Sequence, residues 1–216
     1  MTSPRRLLTS LWSAAAYRPL FMTVRRFAVG RRLTLRVDDA DLTMTVTALD
    51  AADQLTDITA TAEDINWRTS HFDRATVRLQ NMRMKPGAPL AVVAGPVDVT
   101  LDVPAPTLAD LLRASAPRLA GAIGADGVAR VGLARRPRLG YVEVEARLDD
   151  AALWLTARRI GIGARRWRLP TRTPAYPVRL PEMAGGLQLT GVAFAPGIVR
   201  VSGTLPQWRA DLGEVL

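Results

Sequence analysis

The chain has 216 residues, of which 48% are hydrophobic and 23% are charged, enough for one sizeable core or two small ones. It contains no cysteine, which excludes disulfides, cysteine-ligated zinc, iron–sulfur clusters and thiol catalysis. His71 is its one histidine, which excludes a multi-histidine metal site.

The formal net charge of +9 is concentrated near the N-terminus. Residues 1–37 contain eight arginines and no acidic residue, and without those eight the chain has 21 basic against 20 acidic residues. Such asymmetry indicates an arm that meets a negative surface, either a membrane or a nucleic acid. A GC-rich genome would also favour arginine over lysine, for no chemical reason.

We predict that residues 1–30 form a basic, amphipathic helical arm. Apolar side chains in residues 7–15 have helical spacing, and residues 20–28 repeat that spacing after Pro19. Gly30 ends the pattern as a C-terminal glycine would. The candidate membrane contacts in this arm are Arg5, Arg6, Trp12, Arg25 and Arg26.

Three interpretations of this arm stay open. A basic start, a short apolar stretch and Ala14-Ala15-Ala16 imitate a cleaved signal peptide. A pair of helices packed on the domain would give the same pattern. An interfacial helix would bury its aromatic and leucine side chains in the lipid boundary and place arginines on headgroups. No apolar run reaches the roughly 18–20 residues that spanning requires.

Beyond Gly30 the apolar pattern changes to a period of two, which is typical of half-buried strands. Short, often acidic connections favour an antiparallel meander. The predicted strands lie at residues 33–37, 42–49, 58–62, 75–79, 97–103, 128–133, 141–148, 152–157, 187–192 and 198–205.

One apolar helix is predicted to interrupt the sheet over residues 107–122. Thr107 is the expected N-cap and Asp110 completes a motif much like a capping box. Leu108, Leu111 and Leu112 form its apolar stripe, and Pro117 bends or ends it.

A second arginine-rich segment covers residues 151–181, which contain seven arginines and no acidic residue. Trp167 lies between Arg165-Arg166 and Arg168, a pattern that suits a headgroup interface. Stacking on single-stranded nucleic acid, or a solvated turn whose tryptophan packs locally, would fit the same residues.

The sequence does not indicate an enzyme, a cofactor or a metal. Ser70, His71 and Asp73 lie too close together in sequence for a usual catalytic triad, and an exposed loop histidine is the expected alternative. Asp38, Asp39 and Asp41 have oxygen ligands for a hard cation, but a polar turn predicts the same residues.

The C-terminal segment 183–203 resembles the end of the actinobacterial LmeA-like family of phospholipid-binding envelope proteins. The shared features are Gly186-Leu-Gln-Leu-Thr190, a strand, the Pro196-Gly197 turn and a strand ending at Gly203. Val97–Ala109 and the Gly140–Leu155 hairpin also fit, so the resemblance covers about residues 33–205. The family usually has a clear signal or anchor, where this chain has the arginine-rich arm, and a proline-glycine pair where Gly185-Gly186 stands.

This resemblance implies a tubular lipid-binding module within an α+β fold. A long curved antiparallel β-sheet would wrap around the inserted helix in a single domain over residues 31–216. Such a groove holds acyl chains by burial of apolar area. The candidate groove residues are Val99, Leu101, Leu108, Leu111, Leu112, Val144 and Leu153.

The leading hypothesis is therefore a non-enzymatic phospholipid-binding or carrier protein, peripheral on a bacterial membrane or envelope. Its expected partners are an acyl lipid, an anionic membrane surface and an envelope protein. The main alternative is a structural or scaffold subunit that docks on a protein complex through its arginine-rich N-terminal arm. A nucleic-acid binder and an unrecognised hydrolase are less favoured, because no known motif for either is present.

Overall fold

The structure is a computed structural model that describes residue 19 and residues 21–37, 40–51, 56–85, 91–149, 152–179 and 186–211. It is mostly antiparallel β-sheet, with 63% strand and few helices. This confirms the antiparallel, β-rich character predicted from the alternating pattern.

Two α-helices and sixteen strands are defined in these ranges. Helix α1 covers residues 21–28, and α2 is Ala105–Ser115. The strands are β1 Arg32–Val37, β2 Ala40–Ala51, β3 Ile58–Trp67, β4 Ser70–Leu79, β5 Arg83–Lys85, β6 Ala91–Ala94, β7 Val97–Pro104, β8 Leu119–Ile123, β9 Ala129–Leu133, β10 Tyr141–Asp149, β11 Ala152–Ile162, β12 Arg165–Arg168, β13 Ala175–Arg179, β14 Gln188–Ala195, β15 Ile198–Leu205 and β16 Trp208–Asp211.

The chain divides into two compact units. The first takes in the described residues of Met1–Arg68, Ala75–Val99 and Leu205–Leu216, and the second those of Thr69–Arg74 and Thr100–Thr204. The division runs through β4 and β7. The predicted boundary between an arm over 1–30 and a single domain over 31–216 stays a prediction.

The first unit is built on the meander β1–β2–β3, in which each strand pairs antiparallel with the next. A small sheet of order β16-β6-β5 accompanies it. Buried apolar side chains give this unit its core: Val46, Ile58, Ala62, Ile65, Ala94 and Val97. Helix α1 precedes β1 and ends two residues before Gly30, which has a positive φ of 79° and donates its N–H to the Val46 carbonyl oxygen.

The second unit contains the sheet that positions the candidate site. Its strand order is β12-β11-β10-β9-β8, with β13 also paired to β11. The hairpin β14–β15 turns at Pro196-Gly197, as predicted, because Ala195 pairs with Ile198. The buried core cluster of this unit comprises Val103, Ile123, Ala129 and Val199.

The predicted helix over 107–122 is wrong at both ends. Helix α2 begins after Pro104 with no side-chain cap, and the Thr107 hydroxyl instead donates to the backbone carbonyl of His71 at 2.6 Å. The helix ends at Ser115, two residues before Pro117, and residues 119–123 form β8. Residues 119–123 form a strand because they pair with β9. Their sequence, an apolar stretch with a central glycine, is compatible with a helix or a strand.

His71 lies within β4, so the predicted loop position is also wrong, although its side chain is exposed.

Candidate functional site

One face of the β8–β12 sheet is apolar. Val131 pairs with Val142, Val142 with Ile160, and Ile160 with Trp167. Paired residues of adjacent strands project to the same side of a sheet, so these side chains form one row across four strands.

Part of this face is covered by the core of its unit. Ile123 and Ala129 are buried, and Val144 packs against them. Helix α2 lies close to β8, since a Cβ added to Gly121 would stand only 2.7 Å from Leu112 Cδ2. Gly121 is therefore the residue that lets the helix approach the sheet.

The rest of the apolar face is open. Leu119 pairs with Leu133 and lies two residues from Gly121, and Ile162 lies two residues beyond Ile160. Leu119, Leu133, Ile162 and Trp167 are between 38% and 50% exposed. Several large exposed apolar side chains on one sheet face mark a ligand-binding or interaction surface more often than isolated exposed leucines do. We call these four residues the apolar strip.

The opposite face of the same sheet is charged. Arg130 pairs with Glu143, Glu143 with Arg159, and Arg159 with Arg168, which gives a row of four ionised side chains. Arg166 lies in the next row, opposite Gly161.

Glu143 is the centre of this charged face. Its side chain is 4% exposed, and three guanidinium groups lie within 4 Å of its carboxylate. Arg159 Nη1 donates to Oε2 at 3.2 Å, while Arg130 Nη2 and Arg166 Nη1 lie 3.6 and 3.9 Å from Oε1. Oε1 has ion-pair contacts but no hydrogen bond in the described part of the chain. We call Glu143, Arg159, Arg166 and Arg168 the arginine cluster.

Arg130 is shared with a second carboxylate. It forms a two-point contact with Asp126, and these hydrogen bonds lower the pKa of Asp126 from 3.8 to about 2. The same contact raises the pKa of Arg130 above its ordinary value. Asp126 thus balances the charge of Arg130 through two hydrogen bonds, apart from the longer contact of Arg130 with Glu143.

Two glycines shape the backbone beneath the charged face. Gly161 has no side chain, which leaves room for the Tyr141 ring; an added Cβ would lie 2.4 Å from that ring. The Arg130 guanidinium lies 5.5 Å from the centre of the same ring. Gly140 has a φ of 120°, and a Cβ there would lie 2.2 Å from the Gly161 carbonyl oxygen, so no other residue fits.

The charge of this region is strongly positive. Residues 118–179 contain thirteen arginines and five acidic residues. All four residues of β12 are exposed. Among described residues, neither Arg165 nor Arg168 has an acidic partner.

The predicted groove residues have different surroundings in the structure. Leu101, Leu108 and Val144 pack against the core cluster, and Leu112 lies beside Gly121. Leu153 is half-buried on β11 and pairs with Leu148. Leu111 is exposed beside the cleft at His71, and Val99 belongs to the first unit. That these residues line one groove stays a prediction.

The predicted headgroup contacts are placed in two regions. Arg165, Arg166, Trp167 and Arg168 form β12 and are exposed, as a contact with a surface requires. Arg25 and Arg26 lie on α1, where Arg25 Nη2 is 3.3 Å from Asp50 Oδ1. Arg5, Arg6 and Trp12 lie outside the described residues.

Helix α1 exposes apolar side chains beside its arginines. Met22, Val24 and Phe27 are all about half exposed or more, whereas Phe21 and Ala28 are half-buried. This arrangement is typical of a helix that lies in an interface. In the described ranges no helix combines the length and the apolar character needed to cross a membrane.

A cleft of about 520 Å³ lies where β4 meets the start of α2. His71 Nε2 is 3.7 Å from Asp73 Oδ1 there, with Asp110 and Leu111 also in the lining. Ser70 and His71 are neighbours on a strand, so their side chains leave on opposite faces and do not form a nucleophile–base pair.

Metal ligands are not gathered anywhere in the described ranges, where no group of three His, Asp or Glu residues is placed to hold an ion. Of the acidic cluster considered above, Asp41 lies on β2 and is exposed, while Asp38 and Asp39 lie outside the described residues.

Sequence reasoning missed Glu143, Arg130 and Arg159. Counting the β10–β11 hairpin from Asp149 and Ala152 places Glu143 opposite Arg158, but a bulge between Glu143 and Val144 shifts the register to Arg159. The alternation of charged residues along β10 predicts that Glu143 lies on a charged face of the sheet. No feature of the sequence predicts the bulge that sets Glu143 opposite Arg159.

Comparison with protein-family models, with curated proteins and with solved structures gives no match for this chain.

Proposed function

We propose that this protein binds phospholipid without catalysing a reaction, and that it associates peripherally with a bacterial membrane or cell envelope. The apolar strip would hold acyl chains, and arginines at the sheet edge and on α1 would hold it on anionic headgroups. In this proposal the β8–β12 sheet curves around α2, as in the tubular lipid-binding modules that the sequence resembles.

The apolar strip is the observation that carries the proposal. It continues the buried core outward along one sheet face instead of standing apart from it, so a bound chain would extend a surface that is already dry. Burial of apolar area contributes roughly 25 cal/mol per Å², which favours a ligand with long alkyl chains. Four large exposed apolar side chains on one face have no comparable role in an unliganded soluble sheet.

Attachment to a membrane is supported by the composition of β12 and α1. Trp167 lies among three arginines on an edge strand, and Phe27 lies close to Arg25 and Arg26 on the helix. Aromatic rings with an amphipathic character settle at the headgroup level, and each nearby arginine adds about 1 kcal/mol at an anionic surface.

A pair of charge substitutions on the two sheet faces tests the proposal. Leu133→Glu places a carboxylate in the apolar strip, whereas Ala122→Glu places the same charge on the opposite face at an exposed residue. Transfer of a fluorescent phosphatidylcholine from vesicles to the full chain measures lipid uptake. We expect Leu133→Glu to abolish uptake and Ala122→Glu to leave it unchanged.

Two outcomes would contradict the proposal: no uptake by the unmodified chain, or equal uptake by both variants. A lipid-free chain whose arginine-rich arm retains a protein partner would favour the scaffold hypothesis instead.

A further inference from the structure

We propose that the arginine cluster is a binding site for a phosphate group, separate from the apolar strip and on the other face of the sheet. The phosphate belongs either to a soluble phosphate monoester or to a lipid headgroup. The site stands on the charged face alone and does not depend on acyl-chain binding.

The charge balance of the cluster argues for an anionic ligand. Arg130 is matched by Asp126, so the single charge of Glu143 is left to serve Arg159 and Arg166. Arg168 lies opposite Arg159 and has no acidic partner among the described residues. By register, Arg159, Arg166 and Arg168 lie on the face of the sheet that carries Glu143, so this part of the face has three arginines for the one carboxylate of Glu143. The two uncompensated positive charges match a phosphate monoester, which carries about −1.5 to −2 at pH 7.

Within the described ranges, several N–H donors of Arg159 and Arg166 have no protein acceptor. A guanidinium has five N–H donors in a rigid fork, and Glu143 engages only one nitrogen of Arg159 and one of Arg166. The side chains of Arg159 and Arg166 are 44% and 56% exposed, so their remaining donors reach solvent. Forked donors of this kind are suited to two-point contacts with phosphate oxygens.

Glu143 fixes Arg159 through a hydrogen bond and attracts Arg166 from 3.9 Å before the ligand arrives. Its carboxylate is buried beneath them and the bulge at Glu143 sets it opposite Arg159. The Tyr141 ring over Gly161 fills the space next to Arg166. Side chains that are already fixed lose less conformational entropy on binding, so a phosphate bound here gains affinity that diffuse surface charge does not supply.

A pair of double variants tests the site. Arg159→Gln with Arg166→Gln removes two cluster arginines. Arg138→Gln with Arg147→Gln removes the same charge from exposed residues of the same unit outside the cluster. Binding of inorganic phosphate and of glycerol 3-phosphate to the full chain is measured by isothermal titration calorimetry. We expect saturable binding that the cluster variant weakens by about tenfold or more and the control variant by less than about threefold.

A second arm of the experiment distinguishes a soluble phosphate compound from a lipid headgroup as the source of the phosphate. Flotation with phosphatidylcholine vesicles containing phosphatidic acid is compared for the same two variants. Dependence on Arg159 and Arg166 in both arms assigns a lipid headgroup, and dependence in the soluble arm alone assigns a free phosphate compound.

Absence of saturable phosphate binding, or equal losses in both double variants, would overturn the site. Uptake of fluorescent phosphatidylcholine by the apolar strip is measured separately, so failure of the phosphate site leaves the proposed acyl-chain binding standing.

Discussion

Two buried carboxylates in the second unit differ in the number of arginines that contact them. Among the described residues, Asp102 on β7 has one partner, Arg200 on β15, whose Nε and Nη2 donate to its two oxygens at 2.7 and 2.9 Å. Glu143 on β10 has three partners within the same ranges, and of these only Arg159 donates a hydrogen bond. The first pair is balanced and complete, and its contact raises the pKa of Arg200 above the ordinary value.

The same ion-pair chemistry can serve structure or recognition, according to the number of arginines for each carboxylate. A one-to-one, two-point pair satisfies both partners and offers nothing to a ligand. A buried carboxylate surrounded by several arginines orients them, but it cannot compensate all of their charge or accept all of their N–H donors. Substitutions at the two carboxylates should therefore have different consequences.

The largest effect is expected from Arg200→Leu. Removal of this guanidinium leaves the Asp102 carboxylate, whose side chain is 10% exposed, without its partner. A buried charge without compensation is costly, and we expect the free energy of unfolding to fall by about 3 kcal/mol. Urea denaturation followed by circular dichroism measures it. A loss no greater than that of the exposed control Arg147→Leu would show that the pair adds little.

A smaller, salt-dependent effect is expected from Glu143→Gln. The neutral amide leaves three guanidinium groups close together, and their repulsion should lower the free energy of unfolding by about 1–2 kcal/mol at low ionic strength. Added salt screens this repulsion, so the difference from the unmodified chain should shrink in denaturation curves recorded at rising sodium chloride. A loss that is independent of salt would contradict the repulsion account.

Arg166→Leu should destabilise the chain less than either change. Glu143 keeps Arg130 and Arg159, and the Arg166 side chain is more than half exposed at a distance of 3.9 Å. Exposed pairs of this kind contribute under about 1 kcal/mol. Thermal unfolding should show a small shift, while a shift as large as that of Arg200→Leu would place Arg166 in the structure and not in recognition.

The smallest effect concerns pH. The hydrogen bond from Arg130 lowers the pKa of Asp126 to about 2, below the value of 3.8 expected in the unfolded chain. A depressed pKa in the folded state stabilises the protein above pH 4, and this contribution is lost as the pH falls from about 4 through the folded pKa of about 2. Asp126→Asn should therefore be less stable than the unmodified chain at pH 6, and the difference should narrow below pH 4 and close only below about pH 2. Parallel stability curves across this range would contradict the assignment.

The strands could be predicted from the sequence because their signal is local. Alternation over residues 42–49 and 141–148 is a property of each segment, and both lie within strands, β2 and β10. The end of α2 and the Thr107 contact could not be predicted, because β9 and the His71 carbonyl decide them from elsewhere in the chain.

The candidate site was only half predictable. The arginine-rich segment around Trp167 can be recognised from consecutive residues in the sequence. In the structure it forms β12, and all four of its residues are exposed, as a surface contact requires. In the sequence Glu143 resembles an ordinary surface residue, because its burial depends on arginines of three other strands and on one bulge. The apolar strip likewise depends on the register of five strands.

Native mass spectrometry of the full chain as purified, followed by organic extraction and lipid identification, shows whether the protein carries phospholipid. We expect phospholipid to be released in near-stoichiometric amount. A lipid-free mass, with no uptake from added liposomes, would contradict it.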